Sequence, residues 1–253
     1  MKKLLLTACL MMAGITCFGQ EGKKEEPVKE IEVKEIQKNL YSIEDPGSRQ
    51  FFVVGKDKVL LFDTGFGRSS VMEKIRKYSD LPVEVAITHG HGDHVSGLKE
   101  FGSCWISEKD ASMIPEGVEA RIIKEGDKLS CGGYTFEVVE IPGHTEGSVV
   151  YLDKKKKIMI GGDSIQPGPI FMFGDVKKFD DYIASMEKLN KLSKYIKQIY
   201  PAHNASVVGP EYIKFCIEDA KAFKEGKLVA EEIQMMGKTR KVYKGKNVSF
   251  FAD

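Results

Sequence analysis

The sequence predicts an α/β or α+β sandwich, and three observations lead to that fold class. Short apolar runs recur along the chain and are typical of buried strands. Longer stretches that favour helices, such as 178–194 and 210–224, lie among and after these runs. Several of the strand-like runs stop at a loop that contains Gly or Pro. Short strands mixed with helices in this way favour a layered sandwich over an all-helical or all-β fold.

The N-terminus is predicted to be an export signal. Met1-Lys2-Lys3 is basic, Leu4 to Phe18 is almost continuously apolar, and Cys17-Phe18-Gly19 offers small residues to a signal peptidase. We therefore expect cleavage near Gly19 and a periplasmic or secreted mature protein. Leu6-Thr7-Ala8-Cys9 fits a lipobox locally, so a lipoprotein signal is one alternative and a buried N-terminal helix is another.

The chain is therefore predicted to have three parts: a signal at 1–19, a polar linker at 20–27 and one domain over 28–253. The mature chain keeps 36 of the 38 Lys and Arg residues against 37 Asp and Glu, a net charge of about −1. Such a balance argues against a nucleic-acid partner. No later apolar run is long enough to span a bilayer. Three mature cysteines do not make a disulfide scaffold.

Within the domain, each element follows from its local pattern. Apolar or alternating runs predict strands at 51–54, 59–62, 83–87, 134–141, 148–152, 157–160 and 198–200. Helices are predicted from the cap Ser69-Ser70 to Tyr78 and at 178–194, 210–224 and 228–236. The segment 239–250 is predicted to be a terminal strand or tail.

All five histidines of the chain can be placed in one metal site, and each lies where a predicted strand stops and a loop begins. Together with two aspartates they make seven candidate ligands: His89, His91, Asp93, His94, His144, Asp163 and His203. Imidazole and carboxylate groups bind zinc and related metals. Four candidates within 89–94 already exceed what one catalytic zinc needs. The full set therefore suits two metals about 3.5–4 Å apart that share a carboxylate.

These residues resemble the metallo-β-lactamase superfamily. The matching motifs are Thr88-His89-x-His91-x-Asp93-His94, then Pro142-Gly143-His144-Thr145, then Gly162-Asp163, then Pro201-Ala202-His203. The resemblance covers about Asp63 to His203 and implies a four-layer αββα sandwich.

The resemblance also implies how the metals are shared. It places His89, His91 and His144 on one metal and Asp93, His94 and His203 on the other, with Asp163 between them. Asp63 is expected to brace the histidine loop through hydrogen bonds. Two divalent ions, Zn²⁺ first and Fe or Mn as alternatives, are the implied cofactors.

The implied activity is hydrolysis of a small-molecule ester, lactone or thioester by a metal-bound hydroxide. Asp93 is a candidate catalytic proton acceptor as well as a ligand. The Asp93-His94 pair and Asp163 resemble glyoxalase II and lactone hydrolases more than true β-lactamases, although only 50 residues follow His203, too few for a glutathione-binding helical region. A β-lactamase-like amidase and a non-hydrolytic metal-binding or redox protein remain the alternatives.

The segment 165–174 follows Asp163 directly and is apolar yet rich in Pro and Gly. Phe171 and Phe173 are its aromatic residues, and we expect them to form a wall of the substrate pocket, since ligand sites are mostly apolar with a few polar groups. The alternative is that this loop packs on the core.

Overall fold

Two mixed β-sheets face each other in the computed structural model, which describes residues 31–173, 177–235 and 237–252. The first sheet has seven strands in chain order: β1 (Glu32–Gln37), β2 (Leu40–Asp45), β3 (Ser48–Val54), β4 (Val59–Phe62), β5 (Val83–Ala86), β6 (Ser103–Ile106) and β7 (Glu119–Ile122). The second sheet is formed by β8 (Lys128–Cys131), β9 (Tyr134–Glu140), β10 (Val149–Asp153), β11 (Ile158–Gly162) and β13 (Gln198–Pro201), with β13 beside β11.

A third, smaller sheet lies near the C-terminus. It consists of β12 (Ile170–Phe171), β16 (Ser249–Ala252), β15 (Lys238–Lys244) and β14 (Ala230–Met235), in that order. The α-helices are α1 (Val71–Arg76), α2 (Gly92–Val95), α3 (Lys177–Leu192) and α4 (Glu211–Lys224). Short 3-10 helices occupy Ser96–Glu100, Glu108–Met113 and Ser193–Tyr195.

Three apolar clusters account for the layers. Between the two large sheets, Phe62 of β4 packs against Phe136 of β9 and Tyr151 of β10, with ring centroids 4.8 and 4.9 Å apart. A second cluster joins the outer face of the first sheet to α1, and a third joins the outer face of the second sheet to α3 and α4. The predicted sandwich is therefore confirmed, with helices on both outer faces.

The strand pattern explains where loops meet. All four residues of β4 and all five of β10 and β11 are buried, as expected for strands covered on both faces. β4 pairs in parallel with β5, and β11 pairs in parallel with β13. Parallel strands end at the same sheet edge, so the loops that follow them lie together.

The helix predictions are confirmed at 178–194 and 210–224 but not at 228–236. The third segment is β14, paired antiparallel with β15 from Ala230↔Tyr243 to Met235↔Lys238. Cross-strand pairing overrides the helix propensity of residues such as Ala230 and Glu231. The segment predicted as a terminal strand or tail supplies most of β15 and the start of β16.

Residues Ile31–Asp253 make up one compact unit. The predicted signal at 1–19 and the linker at 20–27 lie outside the described residues. Among the described helices, none has the length and apolar character needed to cross a membrane. Cys104, Cys131 and Cys216 are buried free thiols.

Candidate metal centre

The structure brings all seven predicted ligands together, each in a loop or short helix that follows a strand. The loop after β5 carries His89 and His91, and α2 carries Asp93 and His94. The other three follow β9, β11 and β13: His144, Asp163 and His203. Their side-chain atoms form two groups, and within each group the atoms lie within 4.8 Å of one another.

The first group consists of three imidazoles, those of His89, His91 and His144. The Nε2 atom of His89 lies 3.1 Å from Nδ1 of His91 and 3.0 Å from Nε2 of His144. Nitrogen ligands about 2.0–2.1 Å from a tetrahedral zinc are separated by about 3.3 Å. The three nitrogens are thus spaced for one ion.

The second group combines two imidazoles with two carboxylates. The Nε2 atom of His203 lies 3.1 Å from Oδ2 of both Asp93 and Asp163, and Nε2 of His94 lies 3.2 Å from Oδ1 of Asp163. Asp163 also approaches the first group, since its Oδ2 is 3.8 Å from His89 Nε2 and 3.6 Å from His144 Nε2. Its carboxylate therefore lies between the two groups.

Two buried polar atoms in this cluster test whether metals fit. His94 Nε2 and Asp163 Oδ1 are fully buried and lack a hydrogen-bond partner in the part of the chain that the structure describes. Leaving such atoms unpaired is costly, and most buried polar atoms are paired. Both point into the second group, where a cation would satisfy them. The residues present therefore fit a divalent ion at this group.

Asp63 supports the histidine loop from the end of β4. Its Oδ1 accepts a hydrogen bond from the Thr88 backbone N–H at 2.8 Å, and its Oδ2 accepts one from the Thr88 hydroxyl at 2.8 Å. The same Oδ2 lies 2.9 Å from Nδ1 of His94. Gly162 allows the neighbouring loop to approach, because it has φ +55° and a Cβ there would lie 3.0 Å from the Thr88 side chain. A carboxylate at Nδ1 orients the ring so that Nε2 faces the second group.

Asp110 plays the equivalent part beside the first group, and the sequence interpretation missed it. Its carboxylate accepts hydrogen bonds from the Gly90 N–H at 2.8 Å, the Thr145 hydroxyl at 2.7 Å and the Gly147 N–H at 3.0 Å. Asp110 is buried, and its hydrogen bonds join the loop of His89 and His91 to the loop of His144. Asp110 lies in the 3-10 helix Glu108–Met113 that follows β6, a strand that was not among those predicted, so the sequence offered only a weak signal for it.

The electrostatics of the two groups differ. Burial lowers the pKa of His89 and His91 and lowers that of His144 to about 4. Burial would also lower the pKa of His203, but hydrogen bonds to Asp163 and Asp93 raise it to about 9. Burial acts the same way on His94, yet Asp163 and Asp63 raise its pKa well above the ordinary value.

The carboxylates show the opposite response. Burial alone would raise the pKa of Asp163, but the nearby His94 and His89 hold it well below its usual range. Burial would likewise raise the pKa of Asp93, and the nearby imidazoles of His203 and His94 lower it instead. Both carboxylates are therefore ionised at neutral pH and available to a cation.

A cavity of about 310 Å³ opens onto both groups. Its lining combines ligand candidates with apolar and amide side chains: Gly47, Phe66, His91, Asp93, His144, Asp163, Gln166, Pro169, Phe171, His203, Asn204 and Phe251. A larger groove of about 780 Å³ shares none of these residues.

Only one of the two predicted pocket residues lines this cavity. Phe171 does, and its carbonyl oxygen lies 2.7 Å from Nδ1 of His144. Phe173 is absent from the lining; its ring packs on those of Phe171 and Phe251, at 5.6 and 6.0 Å. The sequence interpretation missed Phe66, although it follows Asp63 closely in the chain, and it missed Phe251, because nothing near that residue in the chain marks its approach to the cavity.

Comparison with known proteins adds to this geometry. A family model described as the metallo-β-lactamase superfamily matches residues 45–106. The probable metallo-hydrolase YqgX of Bacillus subtilis (strain 168) is 30% identical over 141 residues, which cover 47% of this chain and 67% of that protein. The acyl-coenzyme A thioesterase MBLAC2 of Gallus gallus is 24% identical over 213 residues, covering 66% of this chain and 76% of the relative.

A bacterial relative and a solved structure agree with these. The hydroxyacylglutathione hydrolase of Bdellovibrio bacteriovorus is 30% identical over 138 residues, and this chain spans about half of its length, 52%. The metallo-β-lactamase from Pontibacter korlensis superimposes with a TM-score of 0.63 at 19% identity, covering 76% of this chain and 99% of that structure. At that identity the likeness concerns the fold alone.

Proposed function

This chain belongs to the metallo-β-lactamase superfamily and is a hydrolase, and we propose that its metal centre cleaves the acyl bond of a small ester, lactone or thioester. The observation that carries the proposal is Asp163, whose carboxylate lies between an all-imidazole group and a mixed group beside a cavity. A thioester is the first class to test, since two relatives are named acyl-coenzyme A thioesterase and hydroxyacylglutathione hydrolase.

Under this proposal His89, His91 and His144 hold one divalent ion and Asp93, His94 and His203 hold the other, with Asp163 shared. Bound in this way, two metals would supply an activated water near neutral pH and an electrophile for the substrate carbonyl. We propose zinc as the resident metal, with iron or manganese as alternatives, because all three accept imidazole and carboxylate ligands.

The protein side chains then have distinct tasks. Asp93 is half-buried, lines the cavity and is ionised, so we assign it the proton acceptor's role in addition to its role as a ligand. Asp63 and Asp110 position the imidazoles through the hydrogen bonds that they accept. The apolar residues of the wall, among them Phe171, limit the access of water to the reacting carbonyl.

A substrate panel combined with metal analysis tests the proposal. Thioesters, aryl esters, lactones and β-lactams are offered to the purified protein before chelation, after chelation and after Zn²⁺ is restored. We expect an acyl ester or thioester to be cleaved, chelation to abolish cleavage, and His89→Ala and Asp163→Ala to lose it. Hydrolysis that survived chelation and both substitutions would overturn the proposal.

The other outcomes identify the alternatives. Preferential cleavage of β-lactams would indicate an amidase instead, and bound metal without any turnover would indicate a binding or redox protein. Asp153→Asn is the matched control, because Asp153 is a buried carboxylate that accepts backbone hydrogen bonds from Thr135, Lys155 and Lys156, none of which belongs to the site. This variant is expected to keep its metal and its activity.

We also propose that the protein is exported and works in the periplasm or outside the cell. The support is the basic start at Met1-Lys2-Lys3 followed by the apolar stretch from Leu4 to Phe18. Mass spectrometry of the protein from fractionated cells is expected to find a mature N-terminus near Gln20. A lipid-modified Cys9 would support the lipoprotein alternative, and an intact Met1 in the cytoplasmic fraction would overturn export.

A further inference from the structure

The last strand of the chain forms part of the cavity wall. Phe251 of β16 lines the cavity together with Phe66 and Phe171, and the Phe171 and Phe251 ring centroids are 4.7 Å apart. Only 3% of Phe251 is exposed. A ring packed this closely holds one position, so Phe251 is a defined part of the wall.

Adjacent residues of β16 lie in different surroundings. Phe250 is fully buried and packs against Phe179 of α3 and Tyr182, with ring centroids 5.3 and 6.0 Å away. Successive side chains of a strand point to opposite faces. Phe250 therefore belongs to the core beneath the helices, whereas Phe251 faces the cavity.

The pairing of β16 with β12 connects this wall to the metal centre. Phe251 lies opposite Phe171 in a parallel pair, and the Met172 N–H donates to the Phe251 carbonyl at 2.7 Å. The Phe171 carbonyl in turn lies 2.7 Å from Nδ1 of His144. Gly168 fits against the strand with φ +98°, and a Cβ there would lie 2.5 Å from the Ser249 carbonyl oxygen.

A buried carboxylate fixes the turn that leads into β16. Asp219 of α4 accepts hydrogen bonds from three consecutive backbone N–H groups, those of Lys246, Asn247 and Val248, at 3.0, 2.8 and 2.9 Å. Asp219 is itself only 4% exposed. The strand is therefore held at its start by a helix and along its length by β12 and β15.

We infer that Phe251 is a specificity-determining residue, and that the wall it forms with Phe66 and Phe171 binds an uncharged apolar acyl group of the substrate. The inference rests on the proposed function and names the part of the substrate that the cavity selects. Aromatic side chains in a ligand site bury large apolar areas. Because the Phe171 carbonyl contacts His144, the wall lies beside the metal centre, and we assign to it the acyl group next to the reacting carbonyl.

The test compares acetyl and butyryl thioesters of one thiol. The two substrates differ by two methylene groups, and burial of each favours binding about fourfold. We expect wild-type kcat/KM to favour butyryl, and Phe251→Ala to reduce the butyryl-to-acetyl ratio by roughly five- to tenfold with its metal content unchanged. An unchanged ratio in this variant would overturn the inference.

Phe250→Leu is the matched control on the same strand. It removes an aromatic ring from the core, so it is expected to lower the melting temperature and leave the acyl ratio as in wild type. If Phe251→Ala does not fold, Phe251→Leu replaces it, with a phenylacetyl thioester as the substrate that reports loss of the ring. Equal selectivity changes in the Phe250 and Phe251 variants would also contradict the inference.

A binding measurement separates this inference from the proposed function. Titration calorimetry of acetate and butyrate into the metal-loaded protein needs no turnover. If wild type hydrolysed none of the acyl substrates, the proposed function would fail, while tighter binding of butyrate that is lost in Phe251→Ala would still support the wall. Equal binding of the two acids by wild type would overturn the wall itself.

Discussion

The two halves of the metal centre are built on different electrostatic principles. The first group holds only imidazoles, whose pKa values burial lowers, so His89, His91 and His144 are neutral at pH 7. The second group sets two ionised carboxylates against His94 and His203, whose pKa values the carboxylates raise. The first group is thus ready to donate lone pairs to a metal, whereas the second holds protons that a metal must displace.

This difference indicates how the two groups of one small site can bind their ions under different electrostatic conditions. The second group has charges that compensate one another when no metal is present, because the His203 imidazole lies 3.1 Å from the carboxylates of both Asp93 and Asp163. The first group has no such internal compensation, and its supports, Asp110 and the Phe171 carbonyl, only orient it. Asp163 is the residue that belongs to both.

The largest effect is expected where the two groups meet. Asp163→Asn removes the charge of the shared carboxylate, so we expect activity to fall by about a thousandfold or more and metal content to fall from about two ions per chain to one or fewer. Enzyme kinetics with elemental analysis measures both. Asp153→Asn is the control for loss of a buried carboxylate, and a variant that kept both ions would refute the role given to Asp163.

Acid is expected to empty the second group before the first. The folded pKa of His203 is raised to about 9, so its pairing stabilises the metal-free protein fully below the ordinary histidine pKa and is lost as pH rises through 9. A metal competes with that proton, and with the one on His94, so affinity at this group should weaken about tenfold per displaced proton for each pH unit lowered.

The first group should behave differently because His144, with a pKa of about 4, carries no proton to displace at pH 6. Calorimetry in buffers of different ionisation enthalpy counts the protons released by each ion. We expect release to accompany one binding event and not the other. Equal proton release for both ions would remove the distinction between the groups.

Substitution of Asp110 or Asp63, the carboxylates that position the imidazoles, is expected to have a smaller effect on metal binding, and the effect should differ between the two groups. Asp110→Asn should weaken metal binding mainly at the first group and Asp63→Asn mainly at the second, each by about ten- to a hundredfold. Anomalous scattering from crystals of each variant measures occupancy at each group separately. Asp63 also holds Thr88 beside His89, so some loss at the first group is expected there as well. Matching losses from both variants would contradict the assignment.

The sequence predicted the ligands better than it predicted their surroundings, for a physical reason. Each of the five histidines follows a strand, and strand periodicity with a terminal Gly or Pro is a local pattern. Asp110 is marked only weakly, because its partners Gly90 and Gly147 are far from it in the chain. A residue whose role depends on hydrogen bonds to distant segments, as that of Asp110 does, is therefore poorly marked by local pattern.

The C-terminal sheet illustrates the same limit. Residues 228–236 were predicted to be helical, yet Ala230–Met235 forms β14 because it pairs with Lys238–Lys244. The two-residue strand β12 pairs with β16 almost 80 positions later, which no periodicity over two residues can indicate. The position of Phe251 in the cavity wall depends on the pairing of β16 with β12 and so could not be predicted.

The smallest effect is expected when a single hydroxyl group that hydrogen-bonds to Asp110 or Asp63 is removed. Thr145 donates to Asp110 at 2.7 Å and Thr88 donates to Asp63 at 2.8 Å, so the two threonines are matched in their bond to a supporting carboxylate. Each hydroxyl also has a second neighbour, Ser148 Oγ at 2.8 Å for Thr145 and His89 Nδ1 at 3.2 Å for Thr88. Loss of one hydrogen bond corresponds to roughly a fivefold change. We expect Thr145→Val to lower metal affinity about that much at the first group. Thr88→Val should lower it chiefly at the second group through Asp63, with a smaller loss at the first group because the hydroxyl also lies 3.2 Å from Nδ1 of His89.

Thr135→Val is the control, because the Thr135 hydroxyl bonds Ser130 on an exposed part of the second sheet, away from the metal centre. Competition with a chromophoric chelator measures such changes for each ion in turn. If both threonine variants weakened both ions equally, the two supports would act as one network, because Asp63 and Asp110 would be coupled through the loop from Thr88 to Gly90. Separate effects would mean that the two halves of the centre, although they share Asp163, are positioned independently.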